Sequence, residues 1–195
     1  MKYLLDTANL ENIQSCLNIF PVAGVTSNPS IVKREGKVNF FEHMRQIRSM
    51  IGMDLALHIQ VTARNTEGMI KDAYRILSEV DNNVFIKIPV TMEGLPAIRQ
   101  LKKEGIRVTG TAIYSSQQGF LAMEAGADCI APYFNRMENM GINPDQVITS
   151  LASMIRLYHY PTEVLAASFK NAGQVDRAFL AGAQTATLDP AILTG

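Results

Sequence analysis

The sequence predicts a (β/α)8 barrel, and three observations carry that prediction. Eight short apolar runs alternate with longer amphipathic ones along the 195 residues. Gly105, Gly126 and Gly182 fall just past amphipathic runs, where a chain leaving a helix for a strand needs a left-handed residue. The short runs are almost continuously hydrophobic, as parallel strands covered on both faces must be.

The expected strands are KYLLDT (2–7), GVTSN (24–28), LALHIQVT (55–62), NVFIKIPV (83–90), RVTGTAI (107–113), CIAPYF (129–134), EVLAAS (163–168) and TATL (185–188). Between them, residues 8–18, 38–51, 66–80, 93–104, 115–125, 143–158 and 171–181 have helical periodicity. Asn65 or Thr66 with Glu67 behind it, and Thr91 before Glu93, mark helix N-termini, where a side-chain oxygen or a carboxylate offsets free amides. After the last strand and Asp189 only six residues, Pro190 to Gly195, remain, too few for an eighth helix. Because an uncovered apolar strand face is a liability, the natural chain is expected to continue past Gly195. Residues 1–195 are read as a single catalytic barrel domain, since the length supports one sizeable core and not two.

Composition removes several classes of function. Eighteen basic and eighteen acidic residues balance, so no long-range field recruits nucleic acid or an anionic membrane. Asp6 interrupts any apolar leader, and nothing approaches the ~18 apolar residues of a membrane span. Cys16 and Cys129 have neither disulfide nor zinc spacing and read as buried free thiols of a cytoplasmic protein. His43, His58 and His159 are isolated, so no metal site is expected.

Lys87 is the one charged residue in VFIKIPV. Burial disfavours an ammonium ion and lowers its pKa, the condition under which lysine becomes a nucleophile at neutral pH. An ordinary lysine is neutral in only about one molecule in two thousand at pH 7, so a pKa near 7 would raise the reactive fraction about a thousandfold. Snorkelling from a strand end, or pairing with a distant acid, is the alternative reading. If Lys87 points into the barrel, the same alternation delivers polar groups from the other strands: Asp6, Asn28, Gln60 with Thr62 above it, Thr109 and Thr111, Tyr133, and Ser168. Asp6 and Asn28 would serve equally as helix caps, the threonines as β-branched strand formers, and Tyr133 as core. Seven strands obeying one rule favour a catalytic mouth at the C-terminal rim. Arg136, just past strand six, and Ser168, where strand seven leads towards its helix, are the anion-binding candidates. Strand-end glutamates, the bases a barrel isomerase would need, are absent: Glu67, Glu93, Glu124 and Glu163 are expected in helices or turns.

The ordered motifs LDTAN, GVTSNPS, IKIPVT, EGI followed by TGTAIY, APYFNR and LAASFK resemble the small transaldolase and fructose-6-phosphate aldolase family of class I aldolases, over essentially the whole chain. The resemblance implies a (β/α)8 barrel, a Schiff-base lysine, and neither metal nor organic cofactor. Lys87 matches the Schiff-base position. Asp6 and Asn28 match residues that hold the donor's hydroxyl groups and assist proton transfer. Thr111 and Gln60 match groups that position a catalytic water, and Arg136 and Ser168 match the phosphate contacts. Transaldolases of this family typically carry glutamate at the position of Gln60 and phenylalanine at that of Tyr133, so both positions resemble the aldolase branch. Ser27 stands where the family often has threonine and keeps the hydroxyl. The family's C-terminal helices pack against neighbouring subunits, which implies a ring-shaped homo-oligomer of five or ten chains. The expected substrates are fructose 6-phosphate, dihydroxyacetone and glyceraldehyde 3-phosphate. The alternatives are a transaldolase and a non-catalytic sugar-phosphate-binding barrel.

Overall fold

In a computed structural model describing residues 1–195, eight parallel strands close into a barrel in chain order. They are β1 (Lys2–Asp6), β2 (Val22–Thr26), β3 (Ala56–Gln60), β4 (Phe85–Pro89), β5 (Val108–Ile113), β6 (Cys129–Pro132), β7 (Glu163–Ala166) and β8 (Thr185–Leu188), and β8 pairs back onto β1. The helices are α1 (Leu10–Ile19), α2 (Pro29–Arg34), α3 (Phe40–Ile51), α4 (Thr66–Glu79), α5 (Gly94–Lys103), α6 (Ser116–Glu124), α7 (Phe134–Asn139), α8 (Pro144–Tyr158), α9 (Ala172–Leu180) and α10 (Pro190–Thr194). No helix is long and apolar enough to cross a membrane.

The predicted strands and the seven long helices are present within a few residues, and three short helices are additional. Helix α2 follows β2 directly, with Asn28 accepting from the Ile31 amide and Pro29 in the first turn, where its missing N–H costs nothing. Helix α7 follows β6 without a side-chain cap. The residues after β8 do form a helix, though only Pro190–Thr194, capped by Asp189. Asparagine is the dominant start signal: Asn9, Asn28, Asn39, Asn65, Asn143 and Asn171 each accept from the amide three residues on. The expected C-terminal glycines Gly105, Gly126 and Gly182 all adopt positive φ, at 75°, 93° and 107°.

The outward strand residues, among them Leu5, Val25, Leu57, Ile59, Ile86 and Ile88, are buried against Ile13, Met44, Ile47, Ile98 and Leu151 of the helices. The inward face is far more polar. Register links Asp6, Thr26, His58 and Phe85 in one row, and Gln60, Lys87, Thr109, Cys129 and Glu163 in the next. The second row runs from the last residue of β3 to the first residue of β7, because tilted strands must stagger to close a barrel. Glu163 therefore lies at the N-terminal end of a strand, where the run EVLAAS begins, and not in a helix or turn. There it accepts from Lys2 at 3.1 Å, at the mouth opposite the strand C-termini.

The turn after β4 is tight. A Cβ added at Gly94 would lie 1.9 Å from the Pro89 carbonyl oxygen, inside any permissible contact. Gly94→Ala should cost about 3 kcal/mol, the upper end for overpacking. A urea midpoint that falls at constant slope would show it; an unchanged midpoint would mean that this turn relaxes freely.

Candidate active site at the strand C-termini

Lys87 is the third residue of β4, buried at 4 % exposure, and its side chain points inward. Its Nζ donates to the Ser27 carbonyl oxygen at 2.9 Å. No carboxylate forms an ion pair with it, and burial lowers its pKa below the ordinary 10.5, with the charge of Asp6 opposing that shift. Burial likewise raises the Asp6 pKa above 3.8, against the opposing effects of Lys87 and of the Thr26 hydroxyl. Each group is pushed towards its neutral form, the amine towards NH2 and the carboxylate towards COOH.

Asp6 is not a helix cap, because α1 is capped by Asn9. Its Oδ1 accepts from Thr26 Oγ1 at 2.7 Å, and that hydroxyl is 2.6 Å from Thr187 Oγ1. Asn28 does cap its helix, through Oδ1, and its amide NH2 has no partner. Both it and Gln60 line a cavity of about 260 Å3 together with Ser27, Lys33, Phe40 and Thr62. The Gln60 Oε1 atom is buried with no hydrogen-bond donor, an acceptor left open inside a site. Thr62 is turned elsewhere, donating to Asp72 at 3.1 Å.

Across the mouth, Thr111 Oγ1 and the Tyr133 hydroxyl are 2.9 Å apart. Tyr133 follows the last residue of β6, and burial raises its phenol pKa above 10, keeping it protonated at neutral pH. Arg136 is exposed on α7, with its guanidinium 5.2 Å from the centre of the Tyr133 ring. The Ser168 carbonyl accepts from the Asn135 amide at 2.8 Å, which holds the start of α7 against the end of β7 and brings Arg136 and Ser168 to one side of the mouth. Helix α9 begins only after its cap Asn171, so Ser168 lies three residues before the cap, in the junction between β7 and α9. Ser168 has φ of 65° and Ala112 has φ of 56°, left-handed conformations that non-glycine residues adopt at a cost.

Thr109 departs from its expected place. It is fully buried near the start of β5, and its Oγ1 is 2.9 Å from His58 Nδ1, in the layer beneath the mouth. His58 stacks on Phe85 at 4.5 Å and 9°. Below them a second cavity of about 350 Å3 opens at the opposite mouth, lined by Lys2, Leu4, Cys129 and Thr185 among others. Thr26 and Thr187 escaped the sequence reading although strand alternation puts Thr26 on the face of Asn28. His58 was visible only as an isolated histidine. No group of three His, Cys, Asp or Glu side chains is placed to hold a metal ion.

A parallel barrel with a neutral-leaning amine at its C-terminal mouth, ringed by hydroxyls and amides, has the equipment of an enzyme that forms imines with carbonyl compounds. The chain belongs to the family described as Transaldolase/Fructose-6-phosphate aldolase, whose profile matches residues 3–195. It is 51% identical over 187 residues to a protein of Streptococcus pneumoniae (strain ATCC 700669 / Spain 23F-1) named "Probable fructose-6-phosphate aldolase". That similarity covers 96% of this chain and 84% of the relative. The protein is thus an enzyme of the aldolase and transaldolase type.

The buried imidazole has a consequence for stability. Burial, with the nearby Lys87 charge adding to it, lowers the His58 pKa from 6.5 to about 3. Between those values the unfolded chain binds a proton that the folded chain refuses, so stability falls as pH drops below 6.5. The stability advantage of wild type over His58→Phe should therefore shrink by about 1.4 kcal/mol per pH unit between roughly pH 6 and pH 4. Urea titrations of both proteins across that range test this. A pH-independent difference would mean that His58 accepts a proton in the fold.

Proposed function

We propose that this protein is a class I aldolase that cleaves and forms fructose 6-phosphate, with dihydroxyacetone and glyceraldehyde 3-phosphate as the cleavage products. The observation that carries the reading is Lys87, an inward-facing amine that burial favours as NH2 and that only a carbonyl oxygen engages. The name of the pneumococcal relative and the family description support the same chemistry.

Lys87 adds to the C2 carbonyl of the ketose, and loss of water gives the protonated imine. Removal of the C4 hydroxyl proton breaks the C3–C4 bond, releases glyceraldehyde 3-phosphate, and delivers the bonding electrons to the imine as an enamine. Protonation at C3 and hydrolysis then free dihydroxyacetone and restore the amine. The imine is the electron sink, so the chemistry calls for no metal. Asp6, held by Thr26, takes and returns protons during carbinolamine formation and collapse. Tyr133 and Thr111 hold a water near the imine carbon, and the open Gln60 oxygen offers that water a further acceptor. Asn28 binds donor hydroxyls with its free NH2, and Arg136 with Ser168 holds the phosphate. We assign Thr109 a supporting role, since its hydroxyl is engaged by His58. The enzyme is read as cytoplasmic from its free cysteines and as without nucleic-acid or membrane partners from its balanced charge, while the family resemblance implies a ring-shaped homo-oligomer acting on sugar phosphates.

Borohydride reduction in the presence of dihydroxyacetone should add mass at Lys87 alone, and Lys87→Arg should abolish turnover because a guanidinium stays protonated. Since only the free amine attacks, trapping should rise with pH and level off well before the ordinary lysine value of 10.5. Label on another lysine, or a rise continuing to that value, would overturn the assignment.

A transaldolase would hold the enamine for a second aldehyde, and Tyr133 argues for release by supplying a phenol that stays protonated. Tyr133→Phe keeps the ring and should slow fructose 6-phosphate cleavage by about 100-fold, the scale of one positioned acid or base. The deciding ratio is free dihydroxyacetone against seven-carbon sugar phosphate when erythrose 4-phosphate is added. Transfer much faster than release in the unmodified enzyme would make it a transaldolase.

A further inference from the structure

Strand β5 breaks its own alternation at the mouth. Ala112 adopts the left-handed conformation, and the pairing of β5 with β6 slips between Gly110 and Ile113. Thr111 and Tyr114, three residues apart, consequently both meet Tyr133. Thr111 does so at the hydroxyl, and Tyr114 with its ring edge-on, at 5.6 Å and 81°. The Tyr114 hydroxyl accepts from Arg136 Nη1 at 3.3 Å, while the same guanidinium lies over the Tyr133 ring. Tyr114 is itself held: its amide donates to Gln118 Oε1 at 3.0 Å, and Gln118 Nε2 donates to the Val90 carbonyl at 3.1 Å. Arg136 takes part in none of the protein's salt bridges.

We propose that Tyr114 is a positioning residue that fixes Arg136 over the mouth and thereby sets the preference for phosphorylated substrates. The inference rests on the aldolase reading and adds to it a residue that never touches the reacting carbons. An exposed arginine samples many rotamers, and an anion that captures it must bear the entropy of ordering it. A phenol oxygen on one side and an aromatic face on the other order the guanidinium in advance, and its planar fork is left aimed outward. The left-handed Ala112 is what brings the phenol there, which gives its backbone strain a purpose.

Tyr114→Phe keeps the ring and its edge contact and removes only the acceptor. It should raise KM for fructose 6-phosphate and for glyceraldehyde 3-phosphate roughly fivefold to tenfold, with kcat changed less than twofold. The KM effect should be absent for unphosphorylated D-glyceraldehyde in the synthetic direction. Combining Tyr114→Phe with Arg136→Ala should add nothing to Arg136→Ala alone, as expected of residues acting in series. Equal KM increases for phosphorylated and unphosphorylated aldehydes would reveal a merely structural tyrosine and overturn the proposal, as would unchanged KM values. Calorimetric titration with inorganic phosphate separates this proposal from the reading beneath it. If wild type fails to turn over fructose 6-phosphate, the aldolase reading falls, but phosphate binding weakened fivefold to tenfold by Tyr114→Phe still upholds the positioning role. Wild type that binds phosphate no better than Arg136→Ala, or no better than Tyr114→Phe, overturns it.

Discussion

The structure turns on keeping an amine buried without an ion pair. Removing an ammonium from water costs several kcal/mol even after relaxation, and a carboxylate in contact would offset that cost by holding the charge in place. Here the amine meets the Ser27 carbonyl, while the Asp6 carboxyl is engaged by Thr26. A neutral acceptor stabilises Lys87 without fixing its protonation state, and the threonine keeps Asp6 from collapsing onto it. The two groups remain electrostatically coupled, so a proton gained by one is felt by the other. A buried Lys–Asp salt bridge would give a better-paired interior and a poorer nucleophile.

That arrangement imposes a polar lining on the barrel that an ordinary core would avoid. Thr26, Thr109, Thr187, His58 and Lys87 are all buried, and every one of them is hydrogen-bonded within the barrel. Hydrophobic stabilisation comes instead from the sleeve between strands and helices, where Leu5, Ile59, Ile86 and Ile88 pack. The division leaves the interior free to be chosen for chemistry. The strained positions, Ala112 and Ser168, follow the same division: both lie at the C-terminal ends of strands, where they re-aim side chains without disturbing the sleeve.

Most of this was legible in the sequence where a residue type has one physical use. The strands were visible from continuous hydrophobicity, the turns from Gly105, Gly126 and Gly182, and the amine from a lone charge in an apolar run. Helix α2 had a usable signal in Asn28–Pro29, a cap followed by a first-turn proline, whereas α7 is six residues long, starts uncapped, and has none. Thr109 was misplaced because alternation gives the face a residue points to but not its depth, and depth depends on the stagger of the closed barrel. Tyr114 was invisible for a different reason. Nothing in TGTAIY announces that an alanine will turn left-handed, and strict alternation from Thr111 would put the tyrosine on the outer face.

The contact between Thr26 and Thr187 has a bearing on how the chain acquires activity. These side chains belong to the second and the last strands, 161 positions apart, and they meet across β1 beside Asp6. In the closed barrel β1 lies between β2 and β8, so the seam beside Asp6 is made by the second strand and the eighth together. Docking of β8 seals that seam. The surroundings of the Asp6 carboxyl are therefore completed only when β8 pairs with β1, so strands from both ends of the barrel must be in place before that buried environment exists.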